Sequence, residues 1–280
     1  MREIQPKQIS DAVSQMVRKA NYTIGADMMG AFKEKLQTES SPRGKQVLSL
    51  LIENAEIADG EKVPYCQDTG YAVFFVELGR EVRLTGDLEA AINDGVRDGY
   101  TGGFLRFSIV KDPLFDRSNS GDNTPAFITT RVVEGDQLKI SFGAKGGGSE
   151  NKSRVMMLKP SDGGEGVKNF VVETVLKAGP DACPPLSPGV GIGGDFELCA
   201  VMAKQAAILP VGFRNPDPRY AKLELELIDL CNKLGVGPAG FGGNTTVLDL
   251  HIKTMGTHIA SLPVAVNIQC HAARHGEIVL

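Results

Sequence analysis

The sequence predicts an α+β fold in which N-terminal helices precede a mixed region of strands and helices. Three observations lead there. Apolar residues recur at helical spacing through the first sixty positions, apolar runs of strand length begin at Tyr71, and later strands and helices interleave without the steady βα repeat of a doubly wound sheet.

Each element follows from its residues. Ile9, Val13, Met16 and Val17 fall on one helical face, as do Met28, Met29, Phe32 and Leu36. Ser41 and Pro42 read as the N-cap and first-turn proline of a helix carrying Val47, Leu48, Leu51 and Ile52 on one side. YAVFFVEL (71–78) is a continuous apolar run, expected to be a buried strand leaving directly from the turn around Cys66. Asp87 is placed to cap a helix reaching Tyr100. Residues 130–142, TRVVEGDQLKISF, predict a hairpin whose second arm alternates Leu138, Ile140 and Phe142 with Lys139 and Ser141. Strands are expected over 154–159, 247–255 and 264–269, and helices over 167–179, 195–209 and 220–235. With no internal repeat and no low-complexity linker, the reading is one domain over 1–280, helical over 1–60 and mixed over 61–280. No second globular domain is expected after the turn at Cys270.

Composition narrows the function. A chain of 280 residues, 42% of them hydrophobic, can bury a large core. A net charge of −4 argues against a general nucleic-acid binder, whereas a few local cations suffice for an anionic substrate. No apolar run approaches the ~20 residues of a membrane span. The N-terminal MREIQPKQISDAV lacks the apolar stretch of a signal peptide, so a cytoplasmic protein is expected. Five cysteines, an odd number, argue for buried, reactive or metal-bound thiols in a reducing compartment over a complete disulfide framework.

Two glycine-rich segments imitate nucleotide sites. GVGIGG (189–194) fits G-x-G-x-x-G, but its proline-broken lead-in CPPLSP cannot be the strand a dinucleotide fold needs. GGGSENKS (146–153) approaches a P-loop, with Asn151 in place of the second glycine. The N–H groups of Gly146 to Ser149, flanked by Lys145 and Lys152, can instead cradle a carboxylate, and Glu150 can pair with Lys152. A flexible hairpin exit accounts for the segment equally well.

Among the cysteines, Cys199 and Cys231 fall on apolar helix faces and read as core. Cys66, Cys183 and Cys270 stand in polar or Gly/Pro-rich turns far apart in sequence. Without a C-x-x-C pair, a zinc ribbon or ferredoxin motif is excluded, and three thiolates gathered by folding suit either zinc or an iron–sulfur cluster with one open iron. An open iron polarises a bound hydroxyl or carboxylate, which suits hydration and dehydration. Asp68, two residues from Cys66, is the best acid–base candidate. His251 alternates to the polar face of its strand, and His271 and His275 follow the last turn cysteine.

PYCQDTGYAVFFVELG, GAKGGGSENKS, ACPPLSPGVGIGGD, GPAGFGGNTTVLD, and TMGTHIA with NIQCHAAR together resemble the alpha subunit of class I (iron–sulfur) fumarate hydratases and L-tartrate dehydratases. The resemblance implies a [4Fe–4S] cluster, labile in air, on Cys66, Cys183 and Cys270. It implies substrate contacts from Gln67, Arg106, Gly148 and Ser149, with Lys152 in the same loop, and catalytic roles for Asp68 and His258. The implied reaction is reversible hydration of fumarate, with tartrate dehydration as the alternative on the same C4 dicarboxylate frame. Single-chain members continue into a swivelling domain that this chain lacks, so the resemblance implies a beta-subunit partner and alpha–alpha pairing in an α2β2 assembly. A three-cysteine zinc hydrolase and a nucleotide-binding module are the remaining alternatives.

Overall fold

A short strand, β1 (Arg2–Ile4), leads into helices α1 (Pro6–Tyr22), α2 (Ala26–Thr38) and α3 (Pro42–Glu61), as the helical spacing predicts. The chain continues through β2 (Tyr71–Gly79), β3 (Val82–Leu84), α4 (Leu88–Gly102), β4 (Phe127–Val133) and β5 (Leu138–Lys145). A single turn, α5 (Gly147–Glu150), precedes β6 (Arg154–Leu158), α6 (Gly163–Ala178), β7 (Gly189–Gly194), α7 (Phe196–Ala207) and α8 (Pro218–Asn232). Strands β8 (His251–Thr257), β9 (Leu262–Asn267) and β10 (Arg274–Val279) follow. This is an α+β arrangement, observed in a computed structural model that describes residues 2–280.

Local sequence sets the helix ends. Gln8 Oε1 accepts a hydrogen bond from the Gln5 N–H (2.9 Å) ahead of Pro6, Ser41 Oγ accepts from Gly44 N–H (3.2 Å), and Asp87 Oδ1 from Ala90 N–H (2.9 Å). Each satisfies a donor that the first helical turn leaves without a partner.

By contact, the chain forms two units. The first comprises residues 2–25, 57–146 and 274–280, and the second 26–56 and 147–273.

In the first unit a four-stranded sheet runs β10-β5-β2-β4. Ala72, Phe74 and Val76 of β2, with Leu138, Ile140 and Phe142 of β5, join Ile9, Val13 and Val17 of α1 and Ile92 and Val96 of α4 in one core. The expected hairpin over 130–142 does not form. Strand β2 lies between the two arms, parallel to β4 and antiparallel to β5. The alternation of β5 correctly marked its buried face but carried no information on its neighbour. Ala72 to Val76 are all buried, so β2 takes a central place, whereas β4 keeps mostly exposed side chains and becomes an edge. Strand β10, not anticipated from HGEIVL, pairs antiparallel with β5.

In the second unit the sheet order is β6-β9-β7-β8. Its central strand β7 is GVGIGG itself, antiparallel to β9 and parallel to β8. The glycines let α7 lie against the strand. A Cβ on Gly191 would sit 2.8 Å from the Ala203 nitrogen and 3.0 Å from the Cys199 carbonyl carbon, and one on Gly189 2.8 Å from the Ala206 carbonyl carbon. Cys199, Met202 and Ala203 of α7 meet Ala265 of β9 on this face. Val190, Val264 and Val266 point the other way, into a core with Val171 and Val175 of α6 and Leu227 and Cys231 of α8. His251, expected on the polar face of its strand, is instead fully buried. Its Nε2 lies 3.3 Å from Asp249 Oδ2, and the Phe213 ring stands edge-on to it. Among the described residues no helix is long and apolar enough to cross a membrane.

Candidate functional site

In the first unit the candidate residues stand on the turn after α3. Cys66 is half-buried, with Sγ 3.5 Å from Gln67 Oε1. Asp68 Oδ1 accepts from the Gly70 N–H (3.0 Å), closing an Asx turn. Thr69 Oγ1 donates to the Arg106 carbonyl (2.8 Å), which ties the segment carrying Arg106 to the turn. Gly70 adopts φ +70°, and a Cβ there would come 2.5 Å from the Lys145 carbonyl oxygen. The turn thus requires glycine at its exit. Two buried side chains hold it from beneath. Tyr100 Oη reaches the carbonyls of Thr69 (3.1 Å) and Gly70 (3.2 Å), and Asn123 Nδ2 donates to Gly70 O (3.1 Å). Burial pushes the Tyr100 hydroxyl pKa strongly up; the Arg274 charge opposes this and that of Asp68 adds to it, so the hydroxyl stays a donor. Gln67, Asp68 and the Arg106 segment are therefore brought together, with Gln67 and Arg106 exposed. Sequence reading missed Tyr100 and Asn123, whose role depends on packing across some thirty and fifty positions.

The second unit brings two of the predicted thiols onto adjoining loops. Cys183 is exposed and left-handed (φ 54°, ψ 64°), and Cys270 is half-buried. The His271 N–H donates to the Cys183 carbonyl (3.3 Å), whose oxygen also lies 3.0 Å from His271 Nδ1, and Ser187 N–H donates to Gln269 O (2.8 Å). The Gly-rich segment is a helical turn beside them. A Cβ on Gly148 would lie 3.5 Å from the Asp181 carbonyl oxygen, and Ser149 is buried. Lys152 Nζ pairs with Asp181 Oδ2 at 2.7 Å, not with Glu150 as expected. Glu150 is turned toward α7 and β9, where it pairs with Lys204 Nζ and accepts from Asn267 Nδ2 (2.9 Å). Lys145, expected to flank the cradle, is fully buried in the first unit. His258 lies apart from these loops in sequence, exposed in the β8–β9 turn, with Nδ1 accepting from the Ala260 N–H (3.1 Å).

Among the described residues, no three His, Cys, Asp or Glu side chains are grouped as a metal site. The thiols nevertheless divide sharply. Cys199 and Cys231 are fully buried, and burial pushes both pKa values up, that of Cys231 to about 12. Cys66, Cys183 and Cys270 all reach solvent. Each of these accessible thiols has the chemistry of a thiolate ligand, which the two core thiols lack.

A second charged cluster fixes the segment after α7. Asp249 is buried and accepts from Gly212 N–H (2.6 Å) and Arg214 Nη1 (2.6 Å). Burial alone would raise its pKa, but His251, the Gly212 N–H and Arg214 outweigh it and hold the carboxyl below the usual range. With the folded pKa depressed, the stabilisation is complete above the ordinary carboxylate value of ~3.9 and is lost as pH falls through the folded value. Thermal unfolding between about pH 5 and pH 2 should show a steeper loss of Tm for the native chain than for Asp249→Asn. Parallel curves would refute the assignment.

A family model described as fumarate hydratase (Fumerase) matches residues 10–279. The chain belongs to the fumarate hydratase family. Within this family it is 40% identical over 272 residues to the "Putative L(+)-tartrate dehydratase subunit alpha" of Methanocaldococcus jannaschii, covering 95% of each chain. It is 36% identical to the L(+)-tartrate dehydratase subunit alpha of Escherichia coli strain UTI89, over 90% of this chain and 84% of that one. The strain K12 protein of the same description is 34% identical over 91% and 84%. As a member of the fumarate hydratase family the chain is a lyase of the hydro-lyase type.

Proposed function

We propose that this chain is the alpha subunit of an L(+)-tartrate dehydratase whose [4Fe–4S] cluster is held by Cys66, Cys183 and Cys270. The observation that carries the reading is the division of thiols: in the first unit Cys66 reaches solvent on the turn of Asp68 and the Arg106 segment, in the second Cys183 and Cys270 reach solvent on adjoining loops by the Gly-rich turn, while the other two are shut in the core. The order of substrates departs from the sequence reading, which put fumarate first, because the relatives above are described as tartrate dehydratases. Fumarate hydration is the second reading, favoured by the description of the family model.

Dehydration of tartrate removes a hydroxyl from C2 and a proton from C3, leaving the enol of a 2-oxo dicarboxylate and one water. When bound, the cluster supplies a Lewis-acidic iron toward the departing hydroxyl. The chain's own residues do the rest. Arg106 offers a planar fork for one carboxylate, which Lys would match less well. The N–H groups of Gly148 and Ser149, at the start of a helical turn, bind carboxylate oxygen. Gln67 donates to substrate oxygen through its amide. Asp68, with Oδ1 accepting from the Gly70 N–H, serves as the acid–base group. His258 presents Nε2 as a second proton carrier, since Nδ1 accepts from Ala260. Lys152 is given no direct contact, because Asp181 holds its ammonium.

The assembly is proposed as α2β2 in the cytoplasm, a beta subunit completing the substrate site with a swivelling domain. Anaerobic co-purification with that partner should give a brown protein containing iron and sulfide. Cys66→Ser, Cys183→Ser and Cys270→Ser should each abolish cluster retention, and Cys199→Ser should not. A colourless, iron-free anaerobic preparation sinks the cluster, and zinc without sulfide would point to a hydrolase. Rates with tartrate, fumarate and malate then rank the substrates.

A further inference from the structure

We infer that Glu150 is a positioning residue, clamping the Gly147–Glu150 turn in the place from which it meets a substrate carboxylate. The inference rests on the functional reading above for what the turn binds, and on geometry for the clamp.

A four-residue helical turn that begins with two glycines does not hold itself. Its nucleation cost is not recovered by propagation, and glycine loses more freedom on ordering than any other residue. The fastening comes from outside on two sides. Toward the sheet, the Glu150 carboxylate accepts from Asn267 Nδ2 (2.9 Å) and pairs with Lys204 of α7. Ser153 Oγ accepts from the Ile268 N–H (3.0 Å) and lies 3.2 Å from Asn267 Nδ2. Toward the thiol loops, Lys152 pairs with Asp181 (2.7 Å). The Glu150 and Lys204 side chains are only 25% and 23% exposed and Asn267 is 5% exposed, so water competes weakly for these partners.

The connections close a ring. Asp181 leads to Cys183, whose carbonyl accepts from the His271 N–H; Cys270 precedes His271, and Ile268 leads back to Ser153. Glu150 also reaches α7 through its ion pair with Lys204. Its carboxylate therefore fixes the donor turn to the sheet that carries both thiol loops.

Hydrogen–deuterium exchange of the full-length chain tests the clamp. Glu150→Ala should speed exchange in peptides covering 147–153 about tenfold, while α1 peptides keep wild-type protection. Glu150→Gln, which can still accept from Asn267, should recover part of that protection and shows that the fold survives the change. In the cluster-loaded complex, Glu150→Ala should raise KM for tartrate about tenfold with a smaller change in kcat. Wild-type exchange over 147–153 in Glu150→Ala overturns the clamp. Faster exchange with an unchanged KM overturns the positioning role. Exchange needs no substrate, so a wild-type complex inert toward every C4 dicarboxylate would count against the proposed activity and not against the clamp.

Discussion

Gly191→Ala is expected to lose about 3 kcal/mol or more of stability, the upper end for overpacking a closed interior. The added methyl has no vacant volume to enter. It meets the backbone of α7 at Cys199 and Ala203, and α7 cannot retreat without opening its contact with Met202, Ala203 and Ala265. For a chain of this size the Tm should fall by roughly 6–12 °C. Gly30→Ala is the matched control. Gly30 lies inside α2, and a Cβ there meets nothing within 4 Å, so the same substitution should stabilise by about 0.5–1 kcal/mol. Urea denaturation of both variants decides the matter, and equal midpoints would remove the packing account of β7.

Asp68→Asn should lower kcat/KM of the cluster-loaded complex by about 10²- to 10⁴-fold, the range for losing a general acid–base group. Fold and cluster should be retained, because the Asn amide oxygen can still accept from Gly70 N–H and close the same turn. Unchanged Tm and iron content with lost turnover distinguish a proton-transfer role from a structural one. Activity within about twofold of wild type would reject Asp68 as the proton carrier.

Much of the fold is legible locally. Helical spacing marked α1 through buried Ile9, Val13 and Val17, and Asp87 marked the start of α4. Strand alternation likewise marked the inward face of β5. What sequence could not express is which strand lies beside which. The pairing of β2 with both β4 and β5 is decided by apolar demand summed over the sheet, and no two-residue signal encodes it. GVGIGG shows a further limit. Its glycines have a nucleotide-loop pattern, yet they serve close approach of a helix to a central strand. In the site, the turn cysteines and Asp68 stood out because turn composition is local. The partners of Lys152 and Glu150 did not, because charges at these positions are satisfied by residues 29 and 54 positions away, with equally suitable groups nearer.

The first unit is written in three separate stretches of chain, and its last piece is β10. During synthesis on the ribosome, β5 must therefore wait for residues 274–279 before both its edges are covered, while 147–273 emerges in between. Maturation is thereby ordered in time: the loops of Cys183 and Cys270 can take shape before the sheet behind Cys66 is complete. A nascent chain halted short of residue 274 would expose the open side of β5 as a ready template for strand addition.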